Sequence, residues 1–161
     1  MRTTSALSLA AAVVLTACAQ RTSEMDMGEV ASNTWRASIE TIRNADSLVA
    51  PTNIVGTLEM RPATNATMTN VSITLNNAAP NATYPWHIHA GGCGSEGGIV
   101  GPPNAYPPLT IDASGQGQAT VTLPFSTPTV GDFSVNVHKS ADEMGVIIAC
   151  GPLTQGVSPM D

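Results

Sequence analysis

The residues of this 161-residue chain best suited to metal chemistry are its three histidines. His87 and His89 flank a single isoleucine in YPWHIHAGGCG, and His138 lies in VNVHK. In a β-strand, side chains two positions apart point to the same face, so His87 and His89 would project together. Three imidazoles converging from two strands suit a borderline or soft transition metal, with copper or zinc the leading choices. Because the H-x-H spacing also occurs in strands without a metal, half-exposed polar histidines are the alternative.

Short strands must position these histidines. From residue 53 onward, segments rich in Val, Ile, Thr and Leu alternate with Asn, Gly, Pro and Ser, as in strands separated by turns. The pattern predicts strands at 53–60, 69–76, 84–90, 108–112, 117–124, 132–139 and 145–150. The segment from Trp35 to Val49 alternates weakly and predicts an edge strand or a single helical turn. About eight short strands predict an all-β antiparallel sandwich or barrel.

The N-terminal residues are typical of an export signal. Residues 1–17 combine one basic residue, an apolar run and a small-residue processing site. The sequence LTAC at 15–18 resembles the lipobox of bacterial lipoproteins, in which the cysteine is lipidated and becomes the mature N-terminus. The apolar run is shorter than the ~20 residues that span a bilayer. We therefore expect a protein exported to the bacterial cell envelope and anchored through Cys18, on the periplasmic face of the outer membrane.

Three segments follow along the chain: a signal peptide at 1–17, a lipidated cysteine with a flexible tether at 18–34, and a β-domain at 35–161. The tether contains Met25 and Met27, which could bind copper(I), although two methionines in a tail are more often without such a role.

Cysteine usage and charge bear on the presence of a disulfide and on the class of binding partner. Once Cys18 is lipidated, Cys93 and Cys150 remain, and an even pair in an exported protein favours a disulfide. The formal net charge is −6, and Lys and Arg form no cluster. A phosphate-binding surface needs such clusters, so nucleic acid is not an expected partner.

The chain resembles the copper-zinc superoxide dismutase family across roughly residues 50–153. The sequence HIH at 87–89 is similar to that family's H-V-H copper-ligand pair, and VHKSADEMG at 137–145 to its V-H-x-x-x-D-D-L-G segment, which carries another copper-ligand histidine. The sequence IIACGPL at 147–153 is similar to the family's R-x-A-C-G-x-I ending, and Cys93 falls where the family places the partner of that terminal cysteine. The resemblance implies a Greek-key β-sandwich, a Cys93–Cys150 disulfide, and one copper ion held by His87, His89 and His138.

The departures from that family imply weakened activity. Gly101-Pro102-Pro103-Asn104 stands where the family has a histidine bridging copper and zinc. With all three histidines assigned to copper, the family's zinc site cannot be assembled, and zinc is not expected. Ile147 corresponds to the family's active-site arginine, and the loop at 140–146 is shortened. The site therefore lacks a bridging imidazole to carry a proton and an arginine to attract an anion, and Lys139 should face away from His138.

Other side chains near the histidines are expected to pack or to lie in solvent and to take no part in chemistry. Trp86 and Tyr106 could line the site, but aromatic residues in such a sandwich more often pack in the core or in a loop. Asp142 and Glu143 could orient an imidazole, as metal-bound histidines often require. A solvated turn after the strand is the favoured interpretation of both.

Three functions stay open. The first is a membrane-anchored copper enzyme that dismutes superoxide to peroxide and oxygen, with no catalytic residue assigned beyond the copper ligands. The second is an envelope protein that binds or buffers copper without turnover. The third is a metal-free structural domain, for which the chordin-type domain, with its H-x-H-like element, is a comparison. Superoxide or copper is the expected small ligand, and no oligomeric state is predicted.

Overall fold

The computed structural model describes residues 30–42, 53–95 and 97–158. The predicted signal peptide, Cys18, Met25 and Met27 lie outside these residues. Within them, no helix is long and apolar enough to cross a membrane. The described elements are a 3₁₀ turn at Pro103–Ala105 and the strands β1 (Val30–Thr41), β2 (Val55–Pro62), β3 (Thr69–Asn76), β4 (Thr83–Tyr84), β5 (Trp86–Ala90), β6 (Leu109–Thr110), β7 (Gly117–Leu123), β8 (Phe133–His138) and β9 (Ile147–Ser158).

Seven of these strands form one antiparallel sheet, in the order β5-β8-β9-β1-β2-β3-β7. The sheet curls into a half-barrel, and β4 and β6 pair as a separate two-stranded ladder. The neighbours β3–β7 and β5–β8 are not consecutive in the chain, so crossover connections join them. The prediction of an all-β antiparallel fold of about eight strands is confirmed.

Strand β1 lies in the middle of the sheet, between β9 and β2. Trp35 pairs with Met60 of β2 on one side and with Gln155 of β9 on the other. The prediction of an edge strand or a helical turn from Trp35 is therefore wrong for the described part of that segment. The strand begins at Val30, within the segment predicted as tether.

A single hydrophobic core fills the concave side of the sheet. Alternate residues of β3 are buried, as the period-2 pattern of a strand with one face inward requires. Trp35 donates its Nε1–H to the carbonyl oxygen of Pro128 at 2.8 Å, so its buried polar atom is satisfied. The largest fully buried side chains are Trp86, Ile39, Leu58, Met60, Ile73, Leu75, Ile88, Leu109, Ile111, Leu123, Val71 and Val135.

Strands β5 and β8 differ from the rest because both of their faces are buried over most of their length. In the connection between β5 and β6 (residues 91–108), the segment 98–100 runs back along the edge of β5. The Ala90 amide donates to the Gly98 carbonyl at 3.0 Å, and the Val100 amide donates to the Ile88 carbonyl at 2.8 Å. These bonds cover the sheet edge, which would otherwise present unpaired backbone groups.

A disulfide between Cys93 and Cys150 ties this connection to β9, with an S–S distance of 2.00 Å and a Cα–Cα distance of 5.9 Å. The predicted disulfide is confirmed. Cys93 is exposed in the connection, whereas Cys150 is buried in the strand. The bond therefore fastens a surface segment over the outer face of β5, β8 and β9.

Candidate metal centre

The three histidines lie on the outer face of β5 and β8, beneath the connection 91–108. His87 and His89 alternate with the core residues Trp86 and Ile88 along β5. His138 is the last residue of β8, after a register shift between Val137 and His138. Its amide donates to the Pro85 carbonyl at 2.9 Å, which sets its side chain beside His87.

The imidazoles converge. One ligand nitrogen from each histidine lies within 4.8 Å of the other two, so the three residues are close enough to hold one metal ion. Nδ1 of His87 and Nε2 of His138 are 3.3 Å apart. His87 and His138 are only 6% and 4% exposed. The alternative of half-exposed polar histidines is therefore wrong for these two, and His89 is intermediate in burial.

The orientation of His89 is fixed by a backbone carbonyl. Its Nδ1 lies 2.8 Å from the carbonyl oxygen of Gly97. A carbonyl can only accept, so Nδ1 carries the proton and Nε2 of the neutral ring keeps a free lone pair. That Nε2 atom is buried and has no hydrogen-bond partner in the protein. Metal-bound histidines usually donate their second N–H in this way, so the arrangement fits a metal ligand.

We expect Gly97→Ala to disturb this orientation. A Cβ at position 97 would lie 1.6 Å from the carbonyl oxygen of Ala90, so the backbone would have to move and carry the Gly97 carbonyl away from His89. Loss of such a partner costs about 10–100-fold in metal affinity. Titration of copper against a competing chelator measures the effect. Gly98→Ala is the matched control because its added Cβ meets nothing within 4 Å. Equal affinities for both variants would refute the role of the carbonyl.

Burial keeps His87 and His138 uncharged. Desolvation lowers the pKa of His87 from 6.5 to about 4, helped by its neighbours His138 and His89 and opposed by a hydrogen bond with the Pro103 backbone. Desolvation also lowers the pKa of His138, and the polar backbone of Met144 acts in the opposite direction. At neutral pH both rings are therefore neutral, the form in which imidazole binds a metal.

These pKa values predict that the metal-free protein loses stability in acid. Between about pH 6.5 and pH 4 the unfolded chain binds a proton at His87 that the folded chain excludes, so the stability present above pH 6.5 falls as the pH drops through this window. The loss amounts to roughly 3 kcal/mol for His87. Urea unfolding at pH 7 and at pH 4 measures it. We expect His87→Gln to show a clearly smaller loss, and an unchanged loss would contradict this assignment.

Two aromatic residues near the histidines have different roles. Trp86 is a core residue, as expected, and donates its Nε1–H to the Pro107 carbonyl at 2.7 Å. Tyr106 packs at the edge of β5, with ring centroids 5.1 Å from Trp86 and 5.2 Å from His87. Its hydroxyl donates to the Val100 carbonyl, and burial raises its pKa. Tyr106 therefore both packs in its loop and covers one side of the histidine cluster.

The turn after β8 is solvated, as the sequence favoured. Lys139 and Glu143 form an ion pair at 2.8 Å between partly exposed side chains. Asp142 is exposed. Because Lys139 is bound to Glu143, its ammonium group is not directed at the histidines.

Sequence reasoning missed Ser134 and Asn136, which are 0% and 1% exposed on the same face as the histidines. Ser134 pairs across the ladder with His89, and Asn136 with His87. The period of two in FSVNVH, counted back from His138, could have found both of them.

A scan of the chain against protein-family models finds no match, and a search of curated proteins finds no similar sequence.

Proposed function

We propose that this protein binds a single copper ion through His87, His89 and His138. The observation that carries the proposal is the buried Nε2 of His89, which faces two further imidazoles and has no partner in the protein. A set of three imidazoles suits copper or zinc. The resemblance of residues 87–89 and 137–145 to the copper-ligand segments of the copper-zinc superoxide dismutases favours copper.

We further propose superoxide dismutation as the activity, at a reduced rate. Copper at this site would supply the one-electron exchange that the reaction needs. The protein's part is to keep His87 and His138 neutral and the three imidazoles convergent. The contact between His87 Nδ1 and His138 Nε2 can hold only one proton, which would have to leave or move to another ring nitrogen before both nitrogens could serve as ligands. After such a move, a relocated N–H of His87 could donate a hydrogen bond to the Pro103 carbonyl.

The reduced rate follows from charge. Superoxide is an anion, and electrostatic steering changes association rates by about 10- to 10³-fold. This chain has a formal net charge of −6, and the cation beside the site, Lys139, is paired with Glu143. Neither feature draws an anion toward the histidines.

A second candidate is copper binding without turnover, as in an envelope copper buffer. The observation that favours it is the cover over the site: Tyr106 packs on His87, and His87 and His138 are nearly inaccessible. A lipid anchor at Cys18 would hold either kind of protein at a membrane in the cell envelope.

The test is the metal content of the purified protein after reconstitution with copper and zinc and dialysis, beside a His87→Ala, His89→Ala double variant. We expect about one copper per chain in the wild type and none in the variant. Peroxide production from superoxide by the copper-loaded protein then separates the enzyme from the buffer. No bound copper in either protein would reject both functions and leave a structural domain.

A further inference from the structure

Four buried side-chain atoms in the described residues lack a hydrogen-bond partner: His89 Nε2, Ser134 Oγ, Asn136 Oδ1 and His138 Nδ1. All four belong to residues on the outer face of β5 and β8. A buried polar atom left unpaired costs about 1–3 kcal/mol, and native proteins seldom leave one so. Their concentration on one face indicates that a ligand bound there contacts other side chains in addition to the imidazoles.

Asn136 has the central position on this face. Across the ladder it pairs with His87 on one side and with Cys150 on the other, and His138 follows two residues later on the same strand. Directly paired residues have Cβ atoms about 4.5–5.5 Å apart. Its chain neighbours Val135 and Val137 point into the core and are fully buried, so the amide of Asn136 serves no purpose in core packing.

Given the proposed copper site, on which this inference rests, we propose a fourth donor to the metal: the carboxamide oxygen of Asn136, beside His87, His89 and His138. Carboxamide oxygen is a hard donor that suits divalent ions, whereas copper(I) prefers soft ligands. The consequence is selectivity: the residue should strengthen binding of copper(II) and zinc(II) and do little for copper(I).

Ser134 is the weaker candidate of the two polar residues. It pairs with His89 and lies on the far side of Asn136 from His138. Its hydroxyl can rotate, and an ordered water would satisfy it. Ser134→Ala removes a buried polar atom from the same face and is therefore a matched control.

The experiment compares copper(II) and copper(I) affinities of the full-length wild type, Asn136→Leu and Ser134→Ala. Each affinity is measured by competition with a chelator for that oxidation state, copper(I) under argon with ascorbate. For Asn136→Leu we expect copper(II) affinity to fall by at least about tenfold, as for other losses around a metal. Copper(I) affinity should change by no more than about threefold, well below the ~10–100-fold range of such effects. Ser134→Ala should leave the ratio of the two affinities unchanged.

An equal loss for both oxidation states in Asn136→Leu would show a purely structural role and overturn the proposal, as would no loss at all. Should Asn136→Leu fail to fold, Asn136→Asp keeps the shape and an oxygen donor, and we expect it to raise copper(II) affinity relative to copper(I). An unchanged ratio of copper(II) to copper(I) affinity in Asn136→Asp would also overturn the proposal. Absence of copper binding by the wild type would instead reject the proposed function itself.

Discussion

A His138→Ala variant is expected to bind copper at least about 100-fold more weakly than the wild type. Changing only an outer partner of a metal ligand costs about 10–100-fold, and His138 is placed here as a ligand itself. At a free copper concentration 1,000 times the wild-type dissociation constant, binding stabilises the wild type by about 4.1 kcal/mol. The same concentration would stabilise the variant by only about 1.4 kcal/mol. Thermal unfolding with and without copper measures the difference.

Lys139→Ala is the matched control for this variant. Lys139 follows His138 directly but is ion-paired with Glu143 in the solvated turn, so its loss should leave copper binding unchanged. Equal stabilisation of wild type and His138→Ala by copper would place the metal elsewhere and remove His138 from the site.

Removal of the disulfide is expected to have the largest effect on stability. The bond closes a loop between residues 57 apart in sequence, which in the chain-entropy model stabilises the fold by about 4 kcal/mol. We expect the Cys93→Ala, Cys150→Ala double variant to lose about this much in urea unfolding. Its copper affinity should fall as well, because the connection released at Cys93 carries the Gly97 carbonyl that orients His89.

The control for the disulfide variant is Ser95→Ala, in the same exposed part of the connection. A surface substitution of this kind changes stability by no more than about 0.5 kcal/mol. Copper affinity that is unaffected by loss of the disulfide would show that the connection stays in place without it, and the link between the bond and the metal centre would be wrong.

The sequence predicted most strands because their alternation is local. The prediction at 69–76 coincides with β3. The strand predicted to end at Cys150 instead continues to Ser158. Gly151 and Pro152 are of residue types that usually form turns, but here both are strand residues. A Cβ at Gly151 would lie 2.5 Å from the Ser38 carbonyl, so glycine is needed where β1 approaches. That requirement comes from a distant part of the chain.

The candidate metal centre likewise has one part that the sequence predicts and another that it does not. The H-x-H spacing identifies His87 and His89, because two residues on one strand face share a local period. The Gly97 carbonyl and the Tyr106 ring reach the centre only after the connection folds back over β5. Contacts of this kind depend on the path of a loop, and no local pattern in the sequence specifies them.

The pairing of β1 with β9 sets how far the candidate metal centre lies from Val30, the first residue that the structure describes. Val30 pairs with Ser158 at one end of this ladder, whereas Glu40 pairs with Cys150, in line with Asn136 and His87, near the other. Ten residues of strand separate the two ends by roughly 30 Å. A surface that held the segment before Val30 would therefore meet the end of the domain remote from the histidines. The end of the sheet that carries the histidines would then lie away from that surface, at a distance set by the length of one strand.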